Sequence, residues 1–170
     1  MYNARMAERY IYPSEAELTE AEILLREKAK RHKKAIEELL RTPEVGKSVT
    51  VLPGDPKKEP VIALVVDNGE SAKPEIHDNY SDVWLGVEAP DGMEFTLGGV
   101  LVPKLALQDD KGKIVPGEFV GDKIEGNGAH TRSYILKPGA TLMTGYREPH
   151  GHQPKRGDIA GALVLKIPRK

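Results

Sequence analysis

Glu75, His77 and Asp82 stand at the spacing E-x-H-x4-D, and His150 follows far downstream behind Pro149. In a strand, residues i and i+2 point to the same face, so Glu75 and His77 can aim at one point. Asp82 can return to that point from a neighbouring turn of chain, and His150 can arrive from a distant strand. Carboxylate and imidazole donors converging from separate elements are how a catalytic divalent metal site is assembled. No single element supplies all four groups, so the fold must bring them together.

The chain that has to do this is 170 residues long, enough for one domain with an appendage. Its 25 basic and 26 acidic residues give no basic face for nucleic acid. It contains no cysteine, which excludes disulfides, thiolate metal sites and cysteine nucleophiles. The first residues, MYNARMAERYIYPSEAEL, hold no apolar core of signal-peptide length, and no run is long enough to span a membrane. A soluble, cytoplasmic protein is expected, with no nucleic-acid or membrane partner.

Residues 1–43 read as a helical arm and 44–170 as a β domain. Ser14 and Glu17 form a capping-box signature. From there to Leu40 there is no Gly or Pro, acidic residues lead and basic residues follow, as the helix dipole favours. The spacing predicts a helix over 14–41, broken at most once and stopped by Thr42-Pro43. Leu18, Leu25, Ala29, Ile36, Leu39 and Leu40 form its apolar stripe, which must pack on the domain or on a second copy.

Beyond residue 44, short β-type runs alternate with turn residues: 48–52, 61–66, 83–88, 94–97, 100–107, 133–136, 141–144 and 162–167. This texture predicts a sandwich or barrel. Asp91-Gly92 signals a hairpin between the runs at 83–88 and 94–97. The polar, Gly-rich stretch 108–130 reads as a long loop, of the kind that forms a functional lid or mouth. Alternation puts Trp84, the one tryptophan, on the face of Asp82 inside the barrel.

Two stretches resemble the paired motifs of the cupin superfamily. The first cupin motif is G-x5-H-x-H-x3,4-E-x6-G; here Gly69 opens it, Glu75 and His77 take the His places, Asp82 the Glu place and Ala89 the closing Gly place. The second is G-x5-P-x-G-x2-H-x3-N; here Gly139 opens it, His150 keeps the His place, and Gly145, Arg147 and Pro154 are substitutions. The lead-in Leu136-Lys137-Pro138-Gly139 resembles the usual L-x-P-G. The resemblance spans roughly residues 60–168, leaving the helix outside it.

It implies an all-β double-stranded β-helix, the cupin jelly-roll barrel, with an N-terminal α-helical arm, pairing as a homodimer. It further implies that Glu75, His77, Asp82 and His150 hold one divalent transition metal (Fe, Mn, Ni or Zn). That set is more anionic than the superfamily's usual three His and one Glu. The implied function is a metal-dependent enzyme acting on a small organic molecule, of isomerase, lyase, cyclase or dioxygenase type. The alternative is a non-catalytic barrel that binds a small ligand. His152, Tyr146 and Arg147 are the candidates for moving a proton or clamping the substrate. His130 reads as solvated, and His32 is given no role. The P-loop-like Gly46-Lys47-Ser48 lacks its first Gly, and Gly126-Asn127-Gly128 lacks a βα setting.

Overall fold

The computed structural model describes residues 10–41, 49–56, 58–68, 73–88, 91–109, 111–126, 131–155 and 159–170. Gly69, Ala89, Gly128 and His130 lie outside these residues, as do Thr42-Pro43 and Gly46-Lys47-Ser48.

The expected helix is two helices, α1 (Glu15–Arg31) and α2 (Lys33–Arg41). Ser14 caps α1 as its sequence predicts. Its Oγ accepts from the Glu17 backbone N at 3.2 Å, and the Glu17 carboxylate accepts from the Ser14 N at 2.9 Å. The single break falls at His32, whose backbone leaves the helical region at φ −105° and ψ 16°.

Among the described residues eleven strands follow: β1 (Val49–Leu52), β2 (Val61–Asn68), β3 (Glu75–His77), β4 (Tyr80–Glu88), β5 (Met93–Gly98), β6 (Val100–Gln108), β7 (Ile114–Glu125), β8 (Thr131–Leu136), β9 (Thr141–Thr144), β10 (His150–Pro154) and β11 (Ile159–Pro168). They form two antiparallel sheets, one in the order β1-β2-β11-β4-β9 and one in the order β6-β7-β3-β10-β5-β8. This is the double-stranded β-helix with an N-terminal helical arm that the sequence implied.

Two local expectations are corrected. Asp91-Gly92 does not close a hairpin. Both edges of β4 are taken by β11 and β9, so β5 pairs with β10 and β8, and the turn carries the chain from one sheet to the other. The stretch 108–130 is not one loop, because most of it is β7, paired with β6 on one side and β3 on the other. Asp109 starts that strand by folding the chain back: its carboxylate accepts from the backbone N of Lys111 at 2.9 Å and of Lys113 at 2.8 Å.

Strand alternation gives the five-stranded sheet two different faces. Ile62, Leu64, Val66, Val83, Leu85, Leu163, Leu165 and Ile167 face outwards and are buried beneath Ala21, Leu25, Ile36 and Leu40 of the helices. The helical stripe thus closes over the chain's own sheet. Ala63, Trp84, Ala162 and Val164 face inwards and pack with Met93, Phe95, Leu97 and Leu136 of the six-stranded sheet. Asp82 and Lys166 share that inward face, and the site is built around them.

Candidate metal centre in the barrel

Short strand β3 sets Glu75 and His77 on one face, and β10 pairs with it so that His150 lies opposite Glu75. Asp82 comes from β4 across the barrel. The structure therefore brings together all four groups that the spacing singled out. Donor atoms of Glu75, His77 and His150 lie within 4.8 Å of one another. His77 Nε2 is 3.3 Å from Glu75 Oε2 and 3.4 Å from Asp82 Oδ2. His150 Nε2 is also 3.4 Å from Asp82 Oδ2.

The three separations near 3.4 Å match those of ligand atoms that share a cation, with Glu75, His77 and His150 in mutual reach and Asp82 beside both imidazoles. Ligand atoms at roughly 2.0–2.1 Å from one ion, at tetrahedral angles, are spaced about 3.4 Å apart. His77 Nε2 and Asp82 Oδ2 are buried and have no hydrogen-bond partner. A buried polar atom left unpaired costs about 1–3 kcal/mol, and an ion between them would satisfy both. The donor set thus fits a divalent transition metal.

The other ring nitrogens decide which atoms are free to ligate. His77 Nδ1 is bonded to Glu118 Oε2, and Asn79 Nδ2 holds the other Glu118 oxygen at 3.2 Å. His150 Nδ1 lies 2.9 Å from the carbonyl of Glu148. When a ring is neutral, as ligation requires, its acceptor oxygen keeps the proton on Nδ1 and turns the Nε2 lone pair towards Asp82. Glu118 is directly opposite His77 on β7 and is almost wholly buried.

Charge is concentrated here. Burial pushes the His77 imidazole towards neutrality, but the Asp82 carboxylate outweighs it and raises the ring to about 10. Asp82 is driven the other way. Burial raises its carboxyl, yet the Lys166 ammonium and the two imidazoles hold it well below the usual carboxylate range. For Glu75, desolvation pushes up while the His77 imidazole holds the group down at about 2. The Glu75 side chain is 42 % exposed whereas those of His77, Asp82 and His150 are buried, so Glu75 marks the solvent side of the cluster.

Of the residues suggested for proton transfer or clamping, His152 faces inwards, two positions beyond His150. Its ring packs against Trp84 and Phe95, with centroids 5.1 and 5.3 Å away. Its Nδ1 is 2.7 Å from Oδ2 of buried Asp67. Tyr146 and Arg147 are not brought to the cluster. The Tyr146 hydroxyl donates to the Ile167 carbonyl at 3.3 Å, and Arg147 pairs with Asp78 at 3.1 Å with its side chain 67 % exposed. Arg147 takes the place of a motif glycine and keeps a glycine-like backbone, with φ 64°. That conformation lets its N donate to the His77 carbonyl at 2.7 Å, tying the turn before His150 to the end of β3.

Sequence reasoning missed Glu118, Asp67 and Lys166. Lys166 is paired in register with Asp82 and points into the barrel, with Nζ 3.4 Å from Asp82 Oδ1 and 3.3 Å from the Tyr80 hydroxyl. Strict alternation from Ala162 and Val164 would have placed it there.

No protein-family model matches the chain, and no curated protein matches it. Solved structures do. Hydroquinone 1,2-dioxygenase from Sphingomonas sp. TTNP3, solved with 4-hydroxybenzoate bound, superposes with a TM-score of 0.51 at 15% identity, over 79% of this chain and 73% of that one. An uncharacterized conserved protein with a double-stranded β-helix domain from Klebsiella pneumoniae gives 0.48 at 14% identity, over 78% of this chain and 86% of its own. KdgF from Halomonas sp. gives 0.44 at 17% identity, over 76% and 87%. The fold is a double-stranded β-helix. No described helix is long and apolar enough to cross a membrane.

Proposed function

We propose that the chain is a metal-dependent enzyme acting on a small organic molecule inside the barrel. Glu75, His77, Asp82 and His150 would hold one divalent transition ion. One observation carries the reading: both histidines are anchored through Nδ1, and their Nε2 atoms converge on the unpaired Oδ2 of Asp82 at ligand-to-ligand spacing.

Electrostatics supports it. Glu75, Asp82 and Glu118 all contact His77, and the Lys166 ammonium contacts Asp82. Ligation would hold both imidazoles neutral, and these three carboxylates against the Lys166 ammonium would then leave two negative charges, which a dication balances. Such an ion, when bound, supplies Lewis-acid activation of a substrate oxygen. The protein's own groups do the rest. His77 and His150 fix the donor directions. Trp84 and Phe95 exclude water beside the site. His152, oriented by Asp67, presents Nε2 as the group that takes or returns a proton.

A second reading is a non-catalytic barrel that binds a small ligand. Lys166 favours it, since an ammonium 3.4 Å from Asp82 already supplies positive charge within the cluster. Elemental analysis of protein purified without chelator separates the two. The enzyme reading expects one divalent ion per chain and an affinity loss of more than about 100-fold in His77→Ala, beyond what loss of an outer-shell partner costs. Absence of stoichiometric metal after reconstitution with Fe, Mn, Ni and Zn favours the binding barrel.

A further inference from the structure

The inward face of the five-stranded sheet carries a row of polar side chains across three adjacent strands. Lys166 on β11 pairs in register with Asp82 on β4, and Asp82 pairs in register with Thr144 on β9. Side chains directly opposite in such pairs stand about 4.5–5.5 Å apart at Cβ, so Lys166 and Thr144 flank Asp82. Trp84, two residues on, shares the face and is the diagonal neighbour of Thr144.

Apart from Asp82 Oδ2, which faces the two imidazoles, the polar atoms of this row with unused capacity can donate. Thr144 Oγ1 and Trp84 Nε1 are buried and have no hydrogen-bond partner. The residues bearing them are 1% and 3% exposed. An indole N–H can only donate. The Lys166 ammonium has three N–H groups and meets two acceptors, the Tyr80 hydroxyl at 3.3 Å and Asp82 Oδ1 at 3.4 Å. Leaving buried donors unpaired destabilises the fold, and among the described residues neither Thr144 Oγ1 nor Trp84 Nε1 has a hydrogen-bond partner to offset that cost.

We infer that Lys166, Thr144 and Trp84 form a carboxylate-binding subsite beside the metal cluster, so that the molecule taken into the barrel is a small organic acid. The inference rests on the metal-site reading and assigns its substrate class. The Lys166 ammonium and the Trp84 indole can only donate and the Thr144 hydroxyl can donate, so their complement is an acceptor, and an ionised one gains most from an ammonium. Two oxygens in a plane suit these few donors, whereas a phosphate would present more oxygens than the row can satisfy. Trp84 and Phe95, with ring centroids 5.0 Å apart, supply an apolar wall for the rest of the acid.

The test is calorimetric titration of metal-loaded protein with acetate and benzoate, set against the neutral acetamide and benzamide. Metal content is measured on the same samples. Trp84 is the one tryptophan, so its fluorescence reports independently on occupancy. Saturable binding of the acids with at least about tenfold preference over the amides is expected, the difference one charge-assisted hydrogen bond makes. Lys166→Met should remove that preference. Thr144→Val, of equal shape and away from any ion pair, should weaken the acids several-fold without altering metal content. Acids binding no better than amides, or both variants binding acids like the unaltered protein, would overturn the subsite while leaving the metal reading intact. Protein that takes up no metal would overturn both.

Discussion

The two faces of the five-stranded sheet are made from the same strands and are both buried, yet they are built on opposite principles. The outer face meets the helices mainly through aliphatic side chains, from Ile62 and Leu64 to Val83, Leu85, Leu163 and Leu165, with a polar contact from the Thr141 hydroxyl to the Glu22 carboxylate at 2.6 Å. Non-directional apolar burial is enough there, and each large side chain contributes roughly 1.5–3 kcal/mol. The inner face, one residue out of phase, carries Asp67, Asp82, Thr144 and Lys166 among its apolar residues. Their desolvation is offset only in part by the ion pairs and hydrogen bonds present. The outer face holds the barrel shut, and the inner face holds charge ready for a ligand.

Breaking one face should leave the other in place. Truncating Leu25→Ala, wholly buried under the helix layer, should cost about 2–5 kcal/mol in urea unfolding. Metal stoichiometry in the folded fraction should stay the same. Loss of metal together with stability would mean that the helices shape the site and the faces are not independent.

Glu118→Gln is the converse. It keeps the shape of a buried side chain but removes the charge that fixes the His77 ring, so metal affinity should fall about 10–100-fold. The circular-dichroism spectrum should not change. An unaltered affinity would show that the contact to His77 Nδ1 is structural only.

Smaller still is the effect of each unit of pH. The His77 ring is raised above its ordinary value, to about 10, by Asp82. Protonation therefore stabilises the metal-free fold. That contribution is complete below about pH 6.5, the ordinary histidine value, and is lost as pH rises through about 10. A metal needs the neutral ring, so apparent affinity should climb about tenfold per pH unit through this window, with one proton released per ion bound. Competition titrations at several pH values measure the slope. A flat profile would show that His77 does not ligate.

How much of this was legible in the sequence differs between the same two layers. The helix arm announced itself through the Ser14–Glu17 box and its apolar stripe, because both are local signals. The E-x-H spacing was legible because strand period is local too, and His150 could be joined to it only through the resemblance of the two motifs. Glu118 was hidden by Pro116 and Gly117, which made a strand look like a loop. Strand β7 exists because β6 and β3 both pair with it, a long-range fact that composition does not report. Lys166 read as one more basic residue near the end of the chain. Its place beside Asp82 depends on which strand lies next to β4, and pairing between β4 and β11 is set by the topology of the whole barrel. The Asp91-Gly92 turn failed as a hairpin signal for the same reason: turn chemistry fixes a reversal of direction, not the partner.

The central claim is that four side chains from three strands share one ion. Anomalous diffraction from crystals grown with Zn or Mn tests it most directly. The account predicts a single strong peak per chain, about 2.0–2.2 Å from Nε2 of His77 and of His150 and in contact with the carboxylates of Asp82 and Glu75. A peak elsewhere, or a cluster left without metal while Lys166 stays on Asp82, would contradict it.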